Sequence, residues 1–328
     1  MDHRQRLLNC LAGTKLDRPP VALWRHFPVE DQDPQLLAKA VVRFQQQFDF
    51  DLVKVTPASS FCLKDWGVQD VWKGSPEGTR EVSAHPIKGP EDWLKLSPVP
   101  IKDNCLSAQL ECVRLIKQAL PKETPVIQTI FNPLSQAKNL VGKNNLPAHL
   151  RLYPNEVKYG LQVIAETTIN FLKSLAPLGI DGIFYAVQHA QADILTRAEF
   201  SEFSRQYDLE ILSHASDYWL NMLHIHGERI YFAEVSDYPC QIFNWHDQQT
   251  YPDLPTAKSL IPGVVCGGLR QWETLVNGTP ESVQAEARNA LHATNGERFI
   301  LGTGCVLPIT APHCNILAAR NAVEQAGF

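Results

Sequence analysis

Residues 182–226 read GIFYAV (Gly182–Val187), QHAQADILT (Gln188–Thr196), a stretch of helical period from Arg197 to His214, and then LNMLHIH (Leu220–His226). A second helical stretch, Asn155–Leu175, leads into the first of these apolar runs. Short apolar runs separated by long amphipathic segments are the signature of parallel strands, because each crossover must return the chain to the same end of the sheet. The pattern continues outward from there. Further runs lie at Val21–Trp24, Asp51–Thr56, Val126–Phe131, Gln241–Trp245, Val264–Leu269 and Phe299–Gly302, making eight. Helical segments at Pro280–His292, opened by Pro-Glu-Ser, and at Pro312–Ala326 continue the alternation. The expected fold is α/β: residues 1–328 as a single (β/α)8 TIM barrel. Its weakest joint is residues 228–239, where the helix between the fifth and sixth strands is expected to be short and polar.

One interval is too long for a simple crossover. Residues 59–98 are rich in Gly, Pro and Trp, and VWKGSPEGTREV (Val71–Val82) reads as a β-hairpin inserted after the second strand. It is expected to form a lid or wall over the barrel mouth. No internal repeat or low-complexity tract marks a second domain.

Composition narrows the function classes. A chain of 328 residues, 44% hydrophobic and 20% charged, can bury a large core. A net charge of -5 leaves no basic footprint for nucleic acid. The start of the chain, Met1-Asp2-His3-Arg4-Gln5-Arg6, lacks the apolar core of a signal peptide, and no apolar run approaches the roughly 20 residues of a membrane helix, so a cytoplasmic protein is expected. Eight cysteines, none in a C-x-x-C pair, are expected to be reduced thiols, most of them buried in the core.

In such barrels the chemistry comes from strand ends and the loops after them. There the sequence offers Trp24-Arg25-His26, Phe131-Asn132, Gln188-His189, His224-Ile225-His226-Gly227, Asn244-Trp245-His246-Asp247, Arg270 and Thr303-Gly304-Cys305. On a strand, positions i and i+2 share a face, so His224 and His226 can converge near the barrel axis while Cys305 supplies a third ligand. Two nitrogens and one sulfur with an open fourth position suit a catalytic zinc. The alternative is a pair of hydrogen-bonded polar side chains lining a wet cavity.

Arg25 and Arg270 are candidate clamps for an anionic small-molecule substrate, because guanidinium grips carboxylate bidentately. Either can instead be an ordinary ion pair. His189 and His246 are candidate acids or bases, with Arg25 as their catalytic companion. His26, Asn132, Gln188 and Trp245 are candidate substrate contacts. Asp247 and Glu234 are available to orient a ligating histidine or to serve as a fourth ligand. Trp24, Trp66 and Trp245 can pack on a flat cofactor or simply fill the core.

Several of these residues sit in recognisable surroundings. Arg4-x-Arg6-Leu7-Leu8, LDRPPV (Leu16–Val21) with Trp24-Arg25, LHIHG (Leu223–Gly227), Gly267-Gly268-Leu269 followed by LVNGTPESV (Leu275–Val283), and LGTGCVLP (Leu301–Pro308) resemble the superfamily of uroporphyrinogen decarboxylase and the methylcobamide:coenzyme M methyltransferases. The resemblance spans essentially the whole chain. It implies a distorted (β/α)8 barrel. Decarboxylases of the family carry R-Q-A-G-R-Y after the first strand and an Asp motif after the second. Here those places read Arg25-His26-Phe27-Pro28-Val29-Glu30 and Lys54-Val55-Thr56-Pro57, and the family's late Leu-Gly-His-Gly has Thr303 in the histidine position. The methyltransferase branch is known for zinc held by H-x-C and a later Cys. His224 matches its first ligand, His226 replaces the Cys, and Cys305 matches the last, which lowers the net ligand charge from about -2 to about -1.

The resemblance therefore implies a zinc-dependent, methyltransferase-like enzyme that activates a thiol-type acceptor, with a methyl-corrinoid or related donor, a corrinoid protein as partner and a homodimeric state. A metal-free decarboxylase of a uroporphyrinogen-like or smaller carboxylated substrate, with Arg25 as clamp, is the second reading. A barrel that only binds a tetrapyrrole or corrinoid is the third.

Overall fold

Seven of the eight apolar runs form one parallel sheet in the computed structural model, which describes residues 1–324. The strands are β1 (Val53–Val55), β4 (Val126–Phe131), β5 (Gly182–Val187), β6 (Met222–Ile225), β7 (Ile242–Trp245), β8 (Val264–Leu269) and β9 (Phe299–Thr303), each paired with the next in that order. Every strand residue in this sheet is buried, as expected when helices cover the outside and side chains fill the inside.

The first run, Val21–Trp24, departs from expectation. It contributes only a single parallel bridge, Val21 to Leu301. Ala22 donates to Leu301 O at 2.9 Å and Leu301 donates to Pro20 O at 2.9 Å, while Val21 O accepts from Asp51 N at 2.9 Å, so this segment bonds to β9 on one side and to the entry of β1 on the other. A longer ladder is blocked upstream, because Pro19 and Pro20 have no N–H to donate. Beneath it lies an ionic knot. Asp51, fully buried, accepts from Arg6 Nη1 at 2.6 Å, Arg18 Nη1 at 2.7 Å and Val21 N at 2.9 Å, with His3 Nδ1 also at 2.9 Å.

The helices follow their sequence signals closely. Pro154–Leu175 buries Leu161, Ile164, Phe171 and Leu172 against the sheet. The segment from Arg197 starts on a capping box between Thr196 and Glu199 and runs through a π-turn at Ser201–Arg205 to Ser213. Pro280–Thr294 is capped by Thr279 and closed by left-handed Asn295. The last helix spans His313–Ala322 and gives way to a turn at Val323 and Glu324, short of the expected end at Ala326, which itself lies outside the described residues. Between β6 and β7 there is only the short helix Phe232–Val235, in line with the weak joint at 228–239.

The long second interval holds a two-stranded antiparallel sheet of β2 (Gln69–Val71) and β3 (Glu81–Ala84). Arg80 fastens it by donating to the Asp70 carboxylate and, at 2.8 Å, to Pro28 O. Ile309 N donates to Pro76 O at 2.7 Å, tying the hairpin tip to the loop after β9. No helix of the described residues is long and apolar enough to cross a membrane.

Candidate metal centre

Parallel register decides which side chains meet. His224 in β6 stands beside Ala186 of β5 and Asn244 of β7, so the three share one row of the inward face. Asn244 donates from Nδ2 to Cys266 O at 3.0 Å and to Thr303 O at 2.9 Å. Both amide hydrogens are thereby used, and Oδ1, 2.7 Å from His224 Nδ1, must accept. His224 therefore carries its proton on Nδ1 and presents a bare Nε2 to the cavity.

That nitrogen lies 3.7 Å from Cys305 Sγ, and His226 Nδ1 lies 3.7 Å from the same sulfur. The three ligand atoms are all within 4.8 Å of one another. Zinc bonds of about 2.0–2.1 Å to nitrogen and 2.3 Å to sulfur place tetrahedral N and S ligands about 3.5 Å apart, so the two nitrogen-to-sulfur spacings fit after shifts of a few tenths of an ångström. Burial holds His226 down to about 3 and His224 well below its ordinary value, which keeps both imidazoles neutral. Burial also lifts the Cys305 thiol to about 11, partly countered by Lys54. The donor set is the bare Nε2 of buried His224 with an imidazole nitrogen and a thiol from half-buried His226 and Cys305, the chemistry a borderline-soft cation takes.

The trio lines a cavity of about 530 Å³. The hairpin walls one side with Glu77, Thr79, Arg80 and Val82, and strand ends supply Lys54, Phe131, Phe184 and Gln188. Of the other expected site residues, His26 and Gln188 face this cavity, as does Trp24. His246 stands at its edge with Nε2 3.4 Å from His226 Nδ1.

The remaining candidates are directed elsewhere. Trp245 is fully buried on the opposite face of β7, where Nε1 donates to Pro252 O at 2.8 Å and the ring packs edge-on to Phe232. Asn132 caps the helix Pro133–Val141 and donates to Ser204 and Asp208 behind the sheet. Arg25 lies over the Phe27 ring and donates to His26 O at 3.3 Å. Arg270 pairs with Glu286 at 2.9 Å on the surface. Buried His189 is outside the cavity lining, with its pKa held down to about 3 by burial and the nearby Lys138 charge. Asp247 accepts from Gly268 N at 3.0 Å, Glu234 pairs with Arg197, and Trp66 donates to Ser97 O at 2.9 Å.

Apart from Arg80 of the hairpin, the cationic groups that line the cavity are lysines. Lys54 on β1 is buried, with Nζ 4.3 Å from the centre of the Phe184 ring, and burial draws its pKa down to about 7. Lys138 donates to Gln188 Oε1 at 3.2 Å, and its pKa is drawn down to about 8 by burial and by Lys143. A lysine inside the apolar strand Val53-Lys54-Val55 was the available signal for the first of these.

Comparison with known proteins agrees with this architecture. The chain is 22% identical to the methylcobamide:CoM methyltransferase MtaA of Methanosarcina barkeri over 344 residues, covering 98% of this chain and 97% of that one. It is also 22% identical to the methylcobamide:CoM methyltransferase MtbA of Methanosarcina mazei, covering 95% of each. Among solved structures, a methyltransferase from Methanosarcina mazei superposes with a TM-score of 0.86 at 18% identity over 99% of both chains. A B12-independent methionine synthase from Shewanella gives 0.56 at 14% identity, covering 93% of this chain and 92% of that one. The family description "Uroporphyrinogen decarboxylase (URO-D)" matches residues 2–326, and the chain belongs to that family.

Proposed function

We propose that this protein is a zinc-dependent methyltransferase that activates a thiol-type acceptor and takes the methyl group from a methyl-corrinoid or related donor, the donor being carried by a corrinoid protein partner. The observation that carries the proposal is the convergence of His224, His226 and Cys305 from strand ends 79 and 81 residues apart. The methylcobamide methyltransferases found among its relatives support the reaction class. We read the sheet together with residues 20–22 as a (β/α)8 barrel, with residues 59–98 as its lid.

Zinc, when bound, supplies a Lewis acid that lowers the pKa of an acceptor thiol. The protein's own groups do the rest. Asn244 fixes the tautomer of His224, and Cys305 closes the donor set from the far strand. Lys54 meets an anionic group of the acceptor, the role that the sequence assigned to Arg25. His246, with Nε2 3.4 Å from His226 Nδ1, is assigned to receive the acceptor's proton. The hairpin keeps bulk water from the sulfur. The metal-free decarboxylase reading is less well served, since neither Arg25 nor Arg270 lines the cavity.

The test is metal content by elemental mass spectrometry, wild type beside His224→Ala and Cys305→Ser. Near-stoichiometric zinc in the wild type and its loss in both variants is the expected result. A folded, metal-free wild type that releases carbon dioxide from a carboxylated substrate would overturn the proposal.

A further inference from the structure

Accepting the thiol-binding reading of the metal centre, the cavity also specifies the shape of the acceptor. Phe184, Ala186 and Gln188 alternate along β5 and its end, and all three face the cavity. They serve as a ruler. Ala186 is level with His224. Two residues below, Lys54 Nζ sits 4.3 Å from the Phe184 ring centre. Two residues above, Lys138 Nζ sits 3.2 Å from Gln188 Oε1. The Phe184 ring is stacked on His224 at 5.1 Å, and Gln188 is level with His226, whose N–H donates to Val187 O at 3.0 Å, so Lys54 flanks the trio on the His224 side and Lys138 flanks it on the His226 side.

These charges are uncompensated. Among the described residues no carboxylate lies within ion-pairing distance of Lys54, Lys138 or Lys143, whereas Arg80 at the same cavity is matched by Asp70 and Asp31. Glu77 is the half-buried acid in the wall, and burial raises its pKa, away from carrying charge there. Of the three lysines, Lys54 is buried, where an ammonium without a counter-ion is costly and its pKa is drawn down to about 7; an anionic ligand group there would stabilise the charged form. Beside Lys54, Trp24 Nε1 and His26 Nδ1 are also buried without hydrogen-bond partners, and the Trp24 N–H, which can only donate, calls for an acceptor there.

We infer that the acceptor is an extended thiol bearing an anionic group on each side of the sulfur, one meeting Lys54 on the His224 side and the other meeting Lys138 and Lys143 on the His226 side. A thiol with a single anionic tail would leave one pole unmatched.

Glutathione is a suitable probe, since carboxylates lie on both sides of its thiol, and its glycyl ethyl ester removes one of them without touching the other. Binding of both is measured by calorimetry on the metal-loaded protein and on the Lys54→Met and Lys138→Met variants, whose substitutions keep side-chain length. In the wild type the ester is expected to bind about tenfold more weakly or worse, as for loss of a charged hydrogen bond. That penalty should vanish in one lysine variant, the one lacking the ester's partner, and persist in the other. An equal affinity for acid and ester in the wild type, or the same penalty in both variants, overturns the inference. The cobalt-loaded protein separates the two levels of the argument. If 3-mercaptopropionate gives a thiolate-to-cobalt absorption band, the thiol-binding reading stands whatever the ester shows; if no thiol gives the band, that reading and this inference fall together.

Discussion

Asn244 Oδ1 and His224 Nδ1, 2.7 Å apart on adjacent strands, form the contact that leaves Nε2 of a buried histidine bare toward the cavity, as the proposed ligand role requires. Asn244 has no freedom to reverse the arrangement, because its amide nitrogen is held by Cys266 O and Thr303 O. The backbone of β8 and β9 thus dictates which nitrogen of a β6 side chain is bare. A partner of this kind, one bond removed from the ion, typically contributes ten- to hundredfold to metal affinity.

Asn244→Leu should therefore retain the fold and the three ligands, yet bind zinc about ten- to hundredfold more weakly. Competition against a chromophoric chelator measures this. Unchanged affinity would mean that packing alone, chiefly the stacked Phe184 ring 5.1 Å away, orients His224.

Gly304 sets the position of Cys305. A Cβ there would stand 2.6 Å from His246 Cα and 2.8 Å from Trp245 O, both backbone atoms that cannot yield cheaply. Gly304→Ala should push the β9 loop away from β7 and carry Cys305 off the two histidines. The expected outcome is weaker zinc binding, accompanied by a loss of thermal stability from the displaced strand end. Metal affinity equal to wild type would show that the loop absorbs the methyl group elsewhere.

Much of this was legible in the sequence, and the exceptions have physical causes. Val126–Phe131 and Val264–Leu269 were read to the residue because both faces of those strands are buried and the apolar run is unbroken. Val21–Trp24 reads the same way, but Pro19 and Pro20 deny it a ladder. His224, His226 and Cys305 could be paired because strand parity and the closing of the sheet are both properties of the pattern. Trp245 was misjudged by one residue: Asn244 shares the row of His224, so its neighbour must face the other way. Arg270 was drawn to a surface carboxylate, Glu286, that spacing does not reveal. Lys54 carried its signal in plain view, since a charged side chain in a strand buried on both faces has to reach a polar space.

Arg80 is the clasp of the hairpin. It is largely buried, bonded to Asp70 within the hairpin and to Pro28 O outside it. Arg80→Ala should leave the parallel sheet intact while freeing residues 72–79, so limited proteolysis in that stretch should accelerate about tenfold or more, consistent with loss of two hydrogen bonds from a charged group. A lid role further requires that the same variant bind acceptor thiols more weakly; wild-type affinity with rapid proteolysis would make the hairpin a wall that the ligand does not use.

Asp51 provides a pH signature for the fold that is independent of the metal. Burial pushes its carboxyl up, but hydrogen bonds from His3 and Arg18 and the charges of Arg18 and Arg6 outweigh this and hold it down at about 2. Because the folded value lies below the unfolded value of about 3.9, the carboxylate's contribution is complete above that pH and is lost as pH falls through about 2. Acid should therefore remove about 2 kcal/mol between roughly pH 4 and pH 2 from this group. Asp51→Asn abolishes that dependence and removes the counter-charge that Arg6 and Arg18 share, leaving Arg6 paired with Asp17 and Arg18 with Glu324, so it should cost about 3 kcal/mol at neutral pH. Urea unfolding across the pH series, wild type against variant, checks both parts. The two curves should converge as the acid limit is approached; parallel curves would place the acid sensitivity in another carboxylate and reduce Asp51 to a hydrogen-bond acceptor for Val21.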